Sequence, residues 1–177
     1  DVDPEEVCGI ARKVLGDTPR EVATKLNNWP ETMDCPESGC TRAMEVAMPM
    51  FSLAFKCEPL GKGDEAIRQE MIADLAAEAL FGESSELYLR LYEEGVIDGS
   101  FGGGFETLDG AALFTCSGDS NDPKAVCDAI VVRAKELAQT GIDEADFLRI
   151  KRSALGRRLR SLDSFEATCY RLCAYHF

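Results

Sequence analysis

An α+β fold, a mainly antiparallel sheet with helices layered on one face, is predicted by three features of the sequence. Two short strand-like runs, FGGGFETL and AALFTCSGD, are joined at Asp109-Gly110, a dipeptide suited to a tight hairpin. A third alternating run, TRAMEVAMPMFSLAFKC, precedes them. Helical periodicity comes in blocks before and after the hairpin, not strand by strand as in a parallel βαβ chain.

Asp3-Pro4-Glu5-Glu6 reads as a helix start: a capping Asp, Pro in the first turn, then acids facing the positive end of the helix dipole. That helix runs through Val7, Ile10, Ala11 and Val14 to near Gly16. Residues 19–40, with Pro19, Pro30 and Pro36, read as a loop or extended connector. Residues 41–57 read as one strand, or two strands broken at Pro49. From Asp64 the period becomes four. Ile67, Met71, Leu75 and Ala79, with Ile72, Ala76 and Leu80 beside them, predict a strong amphipathic helix. Ser84-Ser85-Glu86 caps a second helix, Leu87 to Glu94. Gly102, Gly103 and Gly104 then fall inside a strand, where they imply a bulge or the close approach of another backbone. Asp122-Pro123 starts the next helix and Gly141 closes it. Asp143 with Asp146 resembles a capping box, and the helix it opens is expected to run to the end of the chain.

The length of 177 residues and the 45% hydrophobic content suit one domain, residues 1–177, with its own core. With 32 acidic against 19 basic side chains, the net charge of −13 argues against nucleic acid and against an anionic membrane surface. No apolar run approaches the roughly 18 residues of a membrane span. The chain begins at Asp1 and not at Met, which suggests a piece excised from a longer polypeptide. The eight cysteines fall mainly in helix and strand patterns, where free thiols behave as small hydrophobes, so a reduced, cytoplasmic protein is expected. Cys35 and Cys40, in the loop CPESGC, are the pair best placed to oxidise.

Candidate sites are incomplete. A glycine-rich phosphate loop needs a strand before it and a helix after it, whereas the glycines at 102–104 have the reverse order. Cys169, Cys173 and His176 share a helix face but supply only three of the four ligands of structural zinc. The same residues, with Cys35 and Cys40, would form a thiol-based metal or redox module. Glu70, Asp74 and Glu78 make an acidic stripe at i, i+4 and i+8, suited to acid/base work only if burial separates their pKa values, and otherwise a solvated face. The basic run Arg149, Lys151, Arg152, Arg157, Arg158 and Arg160 reads as solvated, paired with acids, or docked on an acidic partner domain. The single histidine leaves no Ser-His-Asp or Cys-His arrangement.

In order along the chain, DVDPEEV, EVAMPMFSLAFKC, EALFGESSELYLRLYEEGVIDGSF, SGDSNDP and TGIDEADFLRIKRSALGRRLRS resemble the pitrilysin/insulinase family of zinc metallopeptidases. The likeness is nearest to its processing-protease-like bacterial members and runs from Asp1 to about Cys173. The resemblance implies a peptidase half with two homologous α+β domains. The first carries His-x-x-Glu-His on a helix, and the second lacks it and closes over the peptide. This sequence matches the second, inactive type: the corresponding helix, IRQEMIADLAAEALF, contains no histidine. The resemblance therefore implies no metal ligand and no catalytic residue in this chain, zinc in another domain of the same polypeptide, and a peptide substrate. Relatives place an Arg and, seven residues on, a Tyr against the peptide. Here Arg90 is followed at that distance by Ile97, or Tyr92 takes the Arg place if Ser84-Ser85 sets the register. Neither register reproduces the pair. The alternative is a protein-interaction or assembly module of the same superfamily without peptidase activity.

Overall fold

The computed structural model describes residues 2–16, 32–35, 39–108 and 110–176, the side chains of residues 108, 175 and 176 excepted. It divides into two compact units, residues 1–30 and 31–177. In the first, helix α1 (Pro4–Leu15) is capped as expected. Asp3 Oδ1 accepts from the Glu5 amide at 2.9 Å, and Gly16, at φ 67°, donates to the Arg12 carbonyl. No residue of α1 is buried.

The second unit contains, among the described residues, strands β1 (Met50–Cys57), β2 (Gly102–Leu108) and β3 (Ala111–Asp119) in the order β1-β3-β2, all antiparallel. Leu108 faces Ala111 across a turn in which Gly110 adopts φ 83°. The hairpin therefore sits where Asp109-Gly110 put it, although Asp109 itself lies outside the described residues. Alternation assigns the two sheet faces. Phe51, Leu53 and Phe55 of β1 stand level with Gly118, Cys116 and Phe114 of β3, and Cys116 and Phe114 in turn with Gly103 and Phe105 of β2. This face packs into the core. The other carries Ser52, Ser117 and Glu106, with the Thr115 hydroxyl donating to Glu106 Oε1 at 2.9 Å.

The helices are α2 (Asp64–Phe81), α3 (Glu86–Glu93), α4 (Pro123–Thr140), α5 (Glu144–Arg160) and α6 (Phe165–His176). Ala77 and Phe81 of α2, Leu87 and Leu91 of α3, and Val126 and Ile130 of α4 are buried together with Phe51, Ile97, Phe101 and Cys116. Phe101 is the hub, its ring 6.3 Å from Phe51, 6.4 Å from Phe81 and 6.0 Å from Tyr88. Cys116 is buried there, and burial pushes its thiol up to about 11.

Three expectations are corrected and one is narrowed to one of its alternatives. Residues 41–49 form no strand: β3 ends at Asp119 opposite Met50, and the Ser120 amide adds one bond to the Pro49 carbonyl. The glycine run makes no bulge, because β2 keeps an unbroken register with β3. The close approach occurs at Gly103 alone. A Cβ there would lie 2.7 Å from the Thr115 carbonyl oxygen and 2.8 Å from both the Cys116 Cβ and the Phe81 ring, so the paired strand and a helix side chain both crowd it. On α2 the buried residues are Ala77 and Phe81, while Met71 and Ile72 are exposed. Finally, the last helix is interrupted by a 3-10 turn, Ser161–Asp163. Ser161 Oγ donates to the Arg158 carbonyl, and Ser164 Oγ restarts the chain as α6 by accepting from the Ala167 amide at 3.2 Å. No helix among the described residues is long and apolar enough to cross a membrane.

Candidate functional site

Helix α2 follows β1 after a loop pinned at Gly61, whose amide donates to Gln69 Oε1 at 2.8 Å. With Ala77 and Phe81 committed to the core, the flank carrying Glu70, Asp74 and Glu78 turns toward α5. Helix α5 begins at Asp143, whose Oδ2 accepts from the Ala145 and Asp146 amides. The reciprocal half of a capping box is replaced, since Asp146 Oδ1 accepts from Arg149 instead. Ile150 anchors α5 in the interior, and Arg157 one face further along pairs with Glu78 Oε2 at 3.0 Å. Arg149 donates to the Ser84 hydroxyl at 2.6 Å.

Two contiguous depressions open between these elements and share Asp74, Arg158 and Arg171. One of about 630 Å³ has Gly103 and Gly104 in its wall, and one of about 570 Å³ reaches Thr107 and Tyr170. Burial raises the Asp74 carboxyl above its ordinary value, while the Arg158 and Arg157 guanidinium groups pull it down. Glu70 and Asp74 of the acidic stripe stay exposed, as expected of a solvated face. Glu78 is drawn into contact with the basic run of α5 through Arg157, a pairing signalled in the sequence only by opposite charge on two helices. The trench is lined by Asp74, Glu78, Arg157, Arg158 and the Gly103 and Gly104 backbone, together with the apolar Met71, Leu75, Ala154 and Leu155.

Arg90 and Tyr92 are exposed on α3. That helix is set by Ser85, whose hydroxyl accepts from the Tyr88 amide at 3.1 Å and donates to the Leu80 carbonyl. Two positions apart on a helix, Arg90 and Tyr92 point to different sides. Tyr92 stacks on Tyr88 at 5.7 Å and 10°, and Ile97, the alternative partner of Arg90, is buried in the core. Cys35 and Cys40 are exposed free thiols, and residues 36–38 between them lie outside the described residues. On α6, Cys169 is half-buried and Cys173 exposed, and the His176 side chain lies outside the described residues. Among the described residues, no group of three or more His, Cys, Asp or Glu side chains is placed to hold a metal ion.

Residues 1–154 match the family described as the peptidase M16 inactive domain. The chain is 28% identical over 184 residues to the uncharacterized zinc protease YmfH of Bacillus subtilis (strain 168), covering 99% of the chain and 42% of that protein. An M16-like peptidase from Alicyclobacillus acidocaldarius is similar in structure with a TM-score of 0.68 at 25% identity, over 73% of this chain and 31% of that one. A protease from Helicobacter pylori, at 17% identity, shares the fold with a TM-score of 0.69 over 99% of this chain and 43% of its own. The chain spans less than half the length of each of these relatives.

Proposed function

The chain belongs to the inactive-domain family of M16 peptidases, and from that premise we propose that it is the non-catalytic part of a longer zinc-dependent peptidase. In this reading it forms one wall of a chamber that clasps an unfolded peptide, while another domain of the same polypeptide holds the zinc. The observation that carries the reading is α2. By resemblance, an active-type domain bears His-x-x-Glu-His on this helix. Here it has no histidine, and its Glu78 is taken up by Arg157 of α5. The similarity to a protein named as a zinc protease supports zinc in the parent. Zinc there would supply a metal-activated water, with a Glu as general base. This chain would contribute shape and charge: the trench beside α2, and on α3 the exposed Arg90 or Tyr92 as a peptide contact. We place the protein in the cytoplasm, with Cys35 and Cys40 as its oxidisable pair.

Metal analysis of the purified chain, together with a fluorogenic peptide assay, tests this. The chain alone should hold no stoichiometric zinc and cleave nothing, and the parent should cleave unfolded peptides until a chelator is added. Stoichiometric zinc with hydrolysis by the chain alone would overturn the reading. The exposed leucines of α5 favour a second reading, an assembly module without peptidase activity. A parent sequence lacking His-x-x-Glu-His throughout would decide for it.

A further inference from the structure

Helix α5 is amphipathic on two sides. Ile150 is its buried residue. At about 100° per residue, the opposite side carries Leu148, Arg152, Leu155 and Leu159, and the same 4-3-4 spacing reaches Leu162 in the following turn. That alternation is the spacing of a coiled-coil seam, yet here it is left uncovered, with Leu155 at the rim of the trench: Leu148 is 39% exposed, Leu155 58%, Leu159 57% and Leu162 57%. Three leucines on one side of a helix, continued by Leu162 in the turn that follows, are an interaction surface, not scattered apolar exposure.

The charge around the seam selects the partner. Helix α5 has six basic and two acidic side chains in a chain whose net charge is −13. Arg149 and Arg157 are engaged by Asp146, Ser84 and Glu78. Arg152, within the seam, and Arg160 form no ion pair among the described residues. A symmetric pair of identical seams would bring two helices of six basic and two acidic side chains together, which like-charge repulsion opposes. We infer that the uncovered leucine seam of α5 docks an acidic amphipathic helix from a partner protein segment, with leucine-type anchors against Leu155 and Leu159 and carboxylates against Arg152 and Arg160. The inference adds a surface to the proposed function and needs no zinc chemistry. Helix binding by a chain whose parent proves inactive would sustain it while refuting the peptidase reading.

The test titrates the full chain against a labelled synthetic peptide of three heptads, with Leu at the a and d positions and Glu at e and g. Saturable binding is expected. It should weaken about tenfold or more in a Leu155→Asp, Leu159→Asp variant whose circular dichroism is unchanged, and severalfold in Arg152→Glu. A peptide with Lys in place of Glu should bind about tenfold more weakly, and the gap should narrow as salt rises from about 0.05 to 0.5 M. Absence of binding, equal binding of the Lys peptide, or full binding by the double variant would each overturn the inference. Self-association abolished by the same double substitution would assign the seam to a second copy, and would overturn it equally.

Discussion

The sheet with α2, α3 and α4 and the arm formed by α5 and α6 are held in place by different physics. In the first, aromatic and aliphatic side chains from five elements close on Phe101, and Phe81, Leu87, Val126 and Ile130 are each 2% exposed or less. In the second, α5 buries Ile150 alone and is fastened by polar contacts, Arg157 to Glu78 and Arg149 to Ser84. Apolar burial is non-directional and is not screened by salt, whereas exposed ion pairs weaken as salt rises. The difference teaches that one region is built to stay shut and the other to hold its place while leaving an apolar side uncovered.

The comparison can be broken most sharply in the core. Phe81→Ala should destabilise the fold by about 3–5 kcal/mol in urea denaturation, because the ring fills the space against Phe101 and Gly103. Gly103→Ala should cost about 1–3 kcal/mol, since the added methyl meets the Thr115 carbonyl, the Cys116 Cβ and the Phe81 ring. Gly104→Ala, with nothing within 4 Å of the new carbon, is the control and should stay within about 0.5 kcal/mol. Equal effects at the two glycines would remove the close approach from the account. In the arm, Arg157→Met should cost under about 1 kcal/mol, and the loss should shrink in about 0.5 M salt. A cost as large as that of Phe81→Ala would erase the distinction between the regions.

Asp74 gives the smallest effect, and it has a definite sign. Burial raises its folded-state pKa above the ordinary 3.8, so the folded protein holds this proton more tightly than the unfolded chain does. Its contribution favours folding at low pH and is lost as pH rises through the raised value. The stability of Asp74→Asn relative to the parent chain should therefore increase across the window just above 3.8, by urea melts at a series of pH values. A difference that stays flat there counts against burial as the dominant influence.

Local chemistry made much of this fold legible. Asp3, Ser85, Asp122 and Asp143 cap helices through their own side chains where the sequence placed helix starts. The hairpin register follows from its turn. The break between α5 and α6 was hidden because apolar residues continue through it at helical spacing, Leu159, Leu162 and Phe165, while the stop lies in hydroxyl bonds from Ser161 and Ser164. Apolar residues occur on more than one side of α2, so which side is buried depends on where the sheet lies, and that is non-local information. The trench was illegible for the same reason. Arg157 and Glu78 lie 79 positions apart, and only the path of α5 back across α2 brings them together. Arg90 and Tyr92 could be named from resemblance but not joined, because the helix turns them to different sides.

The strand order β1-β3-β2 has a consequence for how the chain reaches this state. The middle strand is the last of the three to be synthesised. Its pairing with β2 needs only a tight turn, which forms in roughly microseconds. Pairing with β1 requires closing a loop that contains α2 and α3, at an entropic cost that grows slowly with its length. The hairpin should therefore form early and recruit β1 late, so substitutions at Phe105 should slow folding while those at Leu53 chiefly speed unfolding.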